Sequence, residues 1–531
     1  MELSRRDFIR YSGAAAATLL GLSLLGCSQK KTGKGEIEKT FYKETVVMGY
    51  GKDHNLKGGK WGIGFFPKVN TLEHLVEYDL KDDKCLPMLA KSWEIEKEGK
   101  EITFVLNKGI KFSDGSELRS DAVKFTVLWL ASNHPLGKET FEAADVVDDY
   151  TVTIRYQNAG FFNLAKMAEF HMAIMSPKSV KPEGDANGKW VFPIGTGPLK
   201  AVDYREGEYA IYEPNPYWYG RYDLEPKFKK LVVKFVKDED TRVMALRSGE
   251  VDCISDFVHG GSDYTPRNQL AILRQDGYKV FKRNEPLTWI IAFNYNKEPF
   301  SDVKLRKAVD LAIDRSEVTK IFNDEVLPAY TLFPESAPGV KEAKKQGVVY
   351  ECNVDEAKRL VEEAGLSREV RLIVDKSQGD QILVSQLIQR RLKKVGFDVA
   401  LDVLEGGAYK ERRDSGEYDM RLYYIGGTDR RFYMRLYWRF HPDQKWKAYV
   451  SERSGDLCKR ILGEFDEERR KRLLTEFYKV IYEERGVVPL YFDIMTIVAS
   501  PKTELKEGEV FRWPNGYEVG EPLFYGVGVR A

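Results

Sequence analysis

The stretch of this 531-residue chain that most constrains its fold lies between residues 370 and 403. Val370, Leu372 and Val374 alternate with polar neighbours, and residues 381–394 then carry Leu383, Leu387 and Leu392 at helical spacing. Gly396 ends that helix, and Phe397, Val399, Leu401 and Val403 alternate again. Two strands separated by a helix pair in parallel through a crossover, and a parallel sheet must be covered on both faces. The same order occurs earlier, where Leu231-Val232-Val233-Lys234-Phe235-Val236 reads as a buried strand before an amphipathic helix, 240–246, closed by Gly249. Asn353 with Glu356 reads as a capping box for a helix that Gly365 ends, and Leu474, Phe477 and Ile481 line one face of a helix stopped at Gly486. The fold class is therefore α/β with mixed sheets.

The N-terminus places this body outside the cytoplasm. Ser4-Arg5-Arg6-Asp7-Phe8-Ile9-Arg10 is a twin-arginine export signature, followed by an apolar run of about a dozen residues, where a bilayer span needs roughly 20. Leu24-Leu25-Gly26-Cys27 reads as a lipobox, so residues 1–27 form a lipoprotein signal peptide ending at the acylated Cys27. A membrane anchor retained whole is the alternative, and it leaves both the lipobox and the polar residues after it unexplained. Residues 28–40 read as a flexible tether, with the folded body starting near Phe41.

Composition excludes several roles. The 83 basic and 82 acidic side chains leave a charge of +1, which gives no field for nucleic acid or an anionic membrane. The charged fraction, 31 % and rich in Glu, Lys and Arg, is the balance found in proteins of hyperthermophiles. Cys85, Cys253, Cys352 and Cys458 are far apart and form no metal or redox spacing, although an oxidising compartment leaves one or two disulfides open. Nucleophile elbow, Walker loop and HExxH motifs are all missing, so the chain reads as a non-enzyme without a resident cofactor. A hydrolase built from dispersed carboxylates is the remote alternative.

Several strings then point to one family. Pro87-Met88-Leu89-Ala90-Lys91-Ser92-Trp93 and, after it, residues 104–115 (FVLNKGIKFSDG) resemble the N-terminal signature of the large solute-binding proteins of peptide and nickel ABC importers, family 5 of the extracellular solute-binding proteins. Ile194-Gly195-Thr196-Gly197-Pro198 resembles the family's glycine loop, Asn215-Pro216-Tyr217-Trp218 its Asn-Pro-aromatic turn, and residues 301–308 the helix that opens its second lobe. The resemblance implies a bilobal periplasmic-binding-protein-like fold with a discontinuous first lobe. Lobe I is expected over 41–285 with 488–531 returning to it, and lobe II over 286–487. It further implies a monomer that closes about a hinge on a small-molecule ligand and docks on an ABC permease.

The resemblance leaves two ligand classes open, a nickel chelate and an oligopeptide. Peptide binders pair the ligand amine with an aspartate in a Trp-x-Gly-Asp segment; here residues 423–433 (YYIGGTDRRFY) offer Asp429 and Tyr424 but no tryptophan, and Arg430 and Arg431 follow directly. The nickel branch resembles Phe66-Pro67-Lys68-Val69-Asn70 and residues 327–334 (LPAYTLFP), and in it arginine and aromatic side chains hold the chelate while one histidine ligates the metal. His441 falls near that position; its bland reading is a solvated loop histidine beside a proline. That branch also expects an arginine where this chain has His171, which is either a ligand contact or a satisfied histidine in a partly buried strand. Arg431, Arg435 and Arg439 recur every four residues, with Trp438 interleaved. The stripe reads as a solvated face, or as a face whose first turn grips a ligand carboxylate.

Overall fold

The computed structural model describes residues 27–31, 37–56, 68, 70–180, 192–220, 227–255, 265–365, 369–376, 379–426, 431–445, 447–504 and 528–530. Its main sheet has 11 strands, and two of them, Lys279–Phe293 and Val487–Ala499, run through its centre. These two long strands pair antiparallel from Lys279↔Ala499 to Asn284↔Ile494, lose register, and resume at Thr288↔Phe492. On one side of the slip Val487–Ala499 also pairs with Cys253–Ser255, which leads to Thr45–Tyr50, Lys230–Phe235, Tyr209–Pro214 and Leu199–Arg205. On the other side Lys279–Phe293 pairs with Met420–Ile425, which leads to Val370–Asp375 and Val399–Leu404. A slip in two continuous strands interrupts the ladder while keeping the covalent path, which concentrates bending at that point.

The crossover unit forms as its pattern requires. Val370–Asp375 and Val399–Leu404 pair in parallel over the helix Gly379–Lys394. Val384, Leu387, Ile388 and Leu392 face the core, whereas Leu383 is 50 % exposed. One residue is 100° of helix, so the stripe centred on 384, 388 and 392 turns Leu383 outward. Asp238 caps the helix Glu239–Ser248 through Thr241 N (2.8 Å), and Gly249 ends it at φ 76°. Only half of the capping box at Asn353 forms: Asn353 accepts from Glu356 N at 3.1 Å, while the Glu356 carboxylate turns to Arg359 and Lys307.

The structure adds detail to two readings. The segment read as a flexible tether contains a hairpin, with Cys27–Lys31 paired antiparallel to Ile37–Phe41 and Cys27 opposite Phe41. Ile37, Thr40 and Phe41 supply strand propensity, and the pairing brings Cys27 back beside the start of the folded body, so the segment reaches less far than an extended one. The remaining cysteines are free thiols: Cys253 and Cys458 are buried in the core, where burial raises their pKa, and Cys352 is exposed. Residues 1–26 lie outside the described residues.

A second, four-stranded sheet is built from Ala90–Glu96, Glu101–Leu106, Thr151–Tyr156 and Phe141–Asp148. Its core continues into the helices Phe432–Phe440, Glu452–Gly463 and Glu467–Glu483, where Leu474, Phe477 and Ile481 are fully buried.

Candidate functional site

The arginine stripe is not solvated. Arg431, Arg435 and Arg439 are 2 %, 3 % and 7 % exposed on the helix Phe432–Phe440, whose Phe432, Met434, Leu436 and Phe440 are also buried. Spacing alone cannot tell a polar face in water from one turned into a protein interior, and this helix is enclosed nearly all round. The Arg435 guanidinium lies 5.1 Å from the Trp438 ring and against Gly426, where a Cβ would come within 3.2 Å of Nε. Arg439 lies 4.6 Å from the Tyr423 ring and 5.8 Å from Tyr424. Arg421, 4 % exposed on the strand Met420–Ile425, approaches the same Tyr423 ring at 4.1 Å.

Strand alternation puts Tyr423 and Tyr424 on opposite faces. Tyr423 is the ring flanked by two cations, while Tyr424 packs on Trp289 at 5.5 Å. Burial raises the Tyr424 pKa, and Arg439, Arg435 and Arg431 oppose it, which sets all three arginines around that strand. Among the described residues no carboxylate forms an ion pair with Arg421 or Arg439. Arg421 Nε and Nη1 and Arg439 Nε are buried without a hydrogen-bond acceptor there. A buried guanidinium group is costly unless it is compensated, and around Arg421 the nearby Tyr418, Tyr409 and Asp414 supply part of that compensation.

A second group of buried charged side chains comprises Glu169, His171 and Lys68. Glu169 is 1 % exposed, and its Oε2 accepts from the backbone N of His171 at 2.8 Å and from Nδ1 at 2.7 Å. His171 therefore sits in a single 3-10 turn, Phe170–Met172, and not in a strand as its bland reading had it. Burial lowers its pKa; Glu169 opposes this, and the charges of Lys68 and Arg435 lower it further. Arg435 is thus electrostatically coupled to the predicted position His171. Burial would raise Glu169, yet His171 and Lys68 hold it below the ordinary carboxylate range. Lys68 is 6 % exposed, and burial brings its pKa down to about 8 against the pull of Glu169. The His134 ring lies 4.9 Å from that of His171.

The glycine loop has a direct steric reason. A Cβ on Gly195 would lie 2.1 Å from the Thr71 carbonyl oxygen, so only glycine lets the loop dock on 70–72. That docking, held by Gly197 N to Thr71 O at 3.1 Å, brings Thr196 Oγ1 to 2.7 Å from the buried Glu73, which also accepts from Tyr219 OH at 3.0 Å.

His441 goes elsewhere. It caps the arginine helix through its N–H to Tyr437 O, its ring lies 4.9 Å from the Tyr437 ring, and its Nδ1 is 3.6 Å from Asp443 Oδ2. Its side chain is 13 % exposed, so a fully solvated loop histidine is not what forms. Positions 437 and 441 lie about 200° around the helix from 435 and 439, on the side facing Phe162, so His441 does not converge with the arginines. No cluster of three or more His, Cys, Asp or Glu that could hold a metal occurs among the described residues. Asp429 and Arg430 lie outside the described residues.

Arg421, Tyr423, Glu169, Lys68 and Glu73 were not singled out by sequence reasoning. The one legible signal was Arg421, a charge on the same strand face as an aromatic in an otherwise apolar strand. Glu169 and Lys68 are 101 residues apart in the chain and meet only in the fold.

Two groups of strands joined through a pair of long continuous strands give a two-lobed architecture. The model of the bacterial extracellular solute-binding proteins, family 5 Middle, matches residues 84–447. Di/tripeptide-binding protein 2 of Pseudomonas aeruginosa is 29 % identical over 377 residues, covering 64 % of this chain and 67 % of that protein. The nickel-binding periplasmic protein of Escherichia coli is 23 % identical over 469 residues, 82 % of this chain and 86 % of that protein. The structure of NikA from Brucella suis in complex with Fe(III)-EDTA superposes with a TM-score of 0.75 at 23 % identity, covering 92 % of this chain and 100 % of that one. The chain belongs to family 5 of the extracellular solute-binding proteins.

Proposed function

We propose that this protein is a non-catalytic receptor exported by the twin-arginine route, lipid-anchored at Cys27, which encloses an anionic ligand and delivers it to an ABC permease. Lobe I comprises 41–285 and 488–531 and lobe II 286–487, with the hinge at the register slip of the two long strands. The observation that carries the anionic ligand is Arg421 and Arg439, buried on either hand of Tyr423 without a carboxylate partner among the described residues. An oxyanion seated there gains charge-assisted hydrogen bonds in a site already dry.

A nickel chelate is the favoured ligand. His171 donates Nδ1–H to Glu169, which orients Nε2 as the basic nitrogen, the arrangement that supports coordination of a divalent metal. The chelator's carboxylates meet the arginines, and His441 is the second histidine to test. An oligopeptide is the other reading, supported by the Pseudomonas di/tripeptide-binding relative, with the peptide carboxylate on the arginines and Asp429 on its amine. A thermal-shift panel of Ni(II)–L-histidine, Ni(II)–citrate, citrate alone and di- to pentapeptides decides between them. A ligand at 100 times its Kd adds about 2.7 kcal/mol of stability. No shift with any member of the panel refutes both readings.

A further inference from the structure

We propose that the end of the main sheet nearest Cys27 is a basic face that lies on anionic lipid headgroups and sets the orientation of the anchored receptor. This rests on the acylation of Cys27 proposed above. The total of +1 over 531 residues gives no field across the whole molecule, but it conceals an uneven distribution. A membrane surface responds to the charge held within a Debye length, about 8 Å at physiological ionic strength.

Several segments come together at this end. Lys230 pairs with Thr45, and both Cys253 and Lys279 pair with Ala499, so the strands that these residues begin or finish share one end of the sheet. Tyr42 bridges Arg530, Lys43 N donates to Val529 O at 2.7 Å, and Arg530 N donates to Lys502 O at 2.9 Å, which docks residues 42–43 on 528–530 and 502. The backbone N–H groups of Lys229 and Lys230 both donate to Glu44 O. Lys227 lies over the Tyr42 ring at 5.4 Å, and Lys279 Nζ donates to Thr503 O at 2.6 Å.

Basic groups outnumber acidic ones across these contacts. Asp252 pairs with Lys43 at 2.6 Å, Glu44 with Lys229, and Glu504 with both Arg530, at 2.6 Å, and Lys227, at 3.8 Å. Lys230, Lys279 and Lys502 are exposed and form no ion pair among the described residues. Seven basic side chains therefore stand against three carboxylates, and the hairpin adds Lys30, Lys31 and Lys39 against Glu38.

The anchor supplies the partner. Cys27 pairs with Phe41, and paired strands run roughly 5 Å apart, so acyl chains on Cys27 enter the bilayer beside residues 41–44. The same stretch fully extended would let the body hang roughly 45 Å away. Each Lys or Arg held close to anionic headgroups strengthens binding about fivefold, an attraction that salt screens. The acyl chains anchor; the face orients, because a body hung on Cys27 alone can turn any side to the bilayer. Trp289, paired with Tyr424, stands ten residues beyond Lys279 on one strand, roughly 30 Å away, so this contact leaves the candidate ligand residues clear.

Flotation and lysine labelling of the acylated protein in vesicles test this. Vesicles of phosphatidylcholine alone are compared with vesicles that also carry phosphatidylglycerol, and the acetylation of each lysine is timed by mass spectrometry. Lys229, Lys230 and Lys502 are expected to label several-fold more slowly on the anionic vesicles and to recover in high salt, while the exposed Lys393 and Lys394 of the crossover helix label alike on both. Lys229→Glu combined with Lys230→Glu, both at exposed positions, is expected to abolish the protection of Lys502. Equal labelling of the three lysines on both kinds of vesicle, with the protein floating on each, overturns the face and leaves the anchor standing. Protection of Lys502 that survives in the double variant overturns it as well. Protein that floats with neither vesicle refutes acylation at Cys27, and the face falls with it.

Discussion

Replacing Arg439 with methionine separates what this residue does for the fold from what it does for a ligand. The guanidinium carbons of Arg421 and Arg439 lie 4.1 and 4.6 Å from one ring centroid, hence no more than about 9 Å apart, a repulsion of about 2 kcal/mol at an effective dielectric near 20. Methionine relieves that repulsion and forfeits a cation–π contact of about 1–2 kcal/mol, while filling most of the volume. The ligand-free protein should therefore change by less than about 1 kcal/mol in urea unfolding. Binding should suffer far more: a charge-assisted hydrogen bond contributes about 1.5–3 kcal/mol, and 1.4 kcal/mol is tenfold in affinity. Isothermal titration with whichever probe of the thermal panel stabilises the parent should show a loss of about 10- to 150-fold. A variant destabilised by more than about 3 kcal/mol with unaltered affinity would mean that Arg439 is a structural pillar, and the anionic-ligand argument would fall with it.

Four further outcomes are expected. Asp310 is fully buried and takes Arg315 Nη2 at 2.6 Å and Arg485 Nε at 2.9 Å, so Asp310→Asn leaves two buried cations without a carboxylate and should cost about 3–5 kcal/mol in urea unfolding. Burial holds His54 well below its ordinary pKa of 6.5, so beneath that pH the unfolded chain binds the extra proton; stability is full above about pH 6.5 and falls with acidification by up to about 1.4 kcal/mol per pH unit. His54→Gln should flatten the denaturant midpoint between pH 6.5 and 5. Gly195→Ala drives a methyl into the Thr71 carbonyl and should cost about 2 kcal/mol or more, read as a lowered Tm and weaker ligand binding. Cys27→Ser should move the protein from the membrane fraction to the soluble extracytoplasmic fraction, and Arg5→Lys with Arg6→Lys should hold it in the cytoplasm, both read by fractionation.

The fold was legible where its causes are local. The crossover unit at 370–403, the glycine stops at Gly249 and Gly365 and the buried face at Leu474, Phe477 and Ile481 follow from periodicity and backbone freedom, which neighbours in the chain settle. The site was legible only in part. His171 and the arginine stripe were visible as residue types, but the stripe was open to two environments, and Tyr424 drew attention although Tyr423 is the ring between the cations. Arg470 and Asp83, separated by 387 positions, gave no local sign of their pairing.

By itself the sequence determined that the chain is an α/β body and that arginines recur at helical spacing, because both depend on contacts a few residues long. Only the tertiary structure decided that those arginines are buried, that the charge of Arg435 bears on His171 and that His441 turns away. The physical reason is that burial and counter-charge are supplied by segments hundreds of residues distant, and a helical pattern carries no record of what will be packed against it.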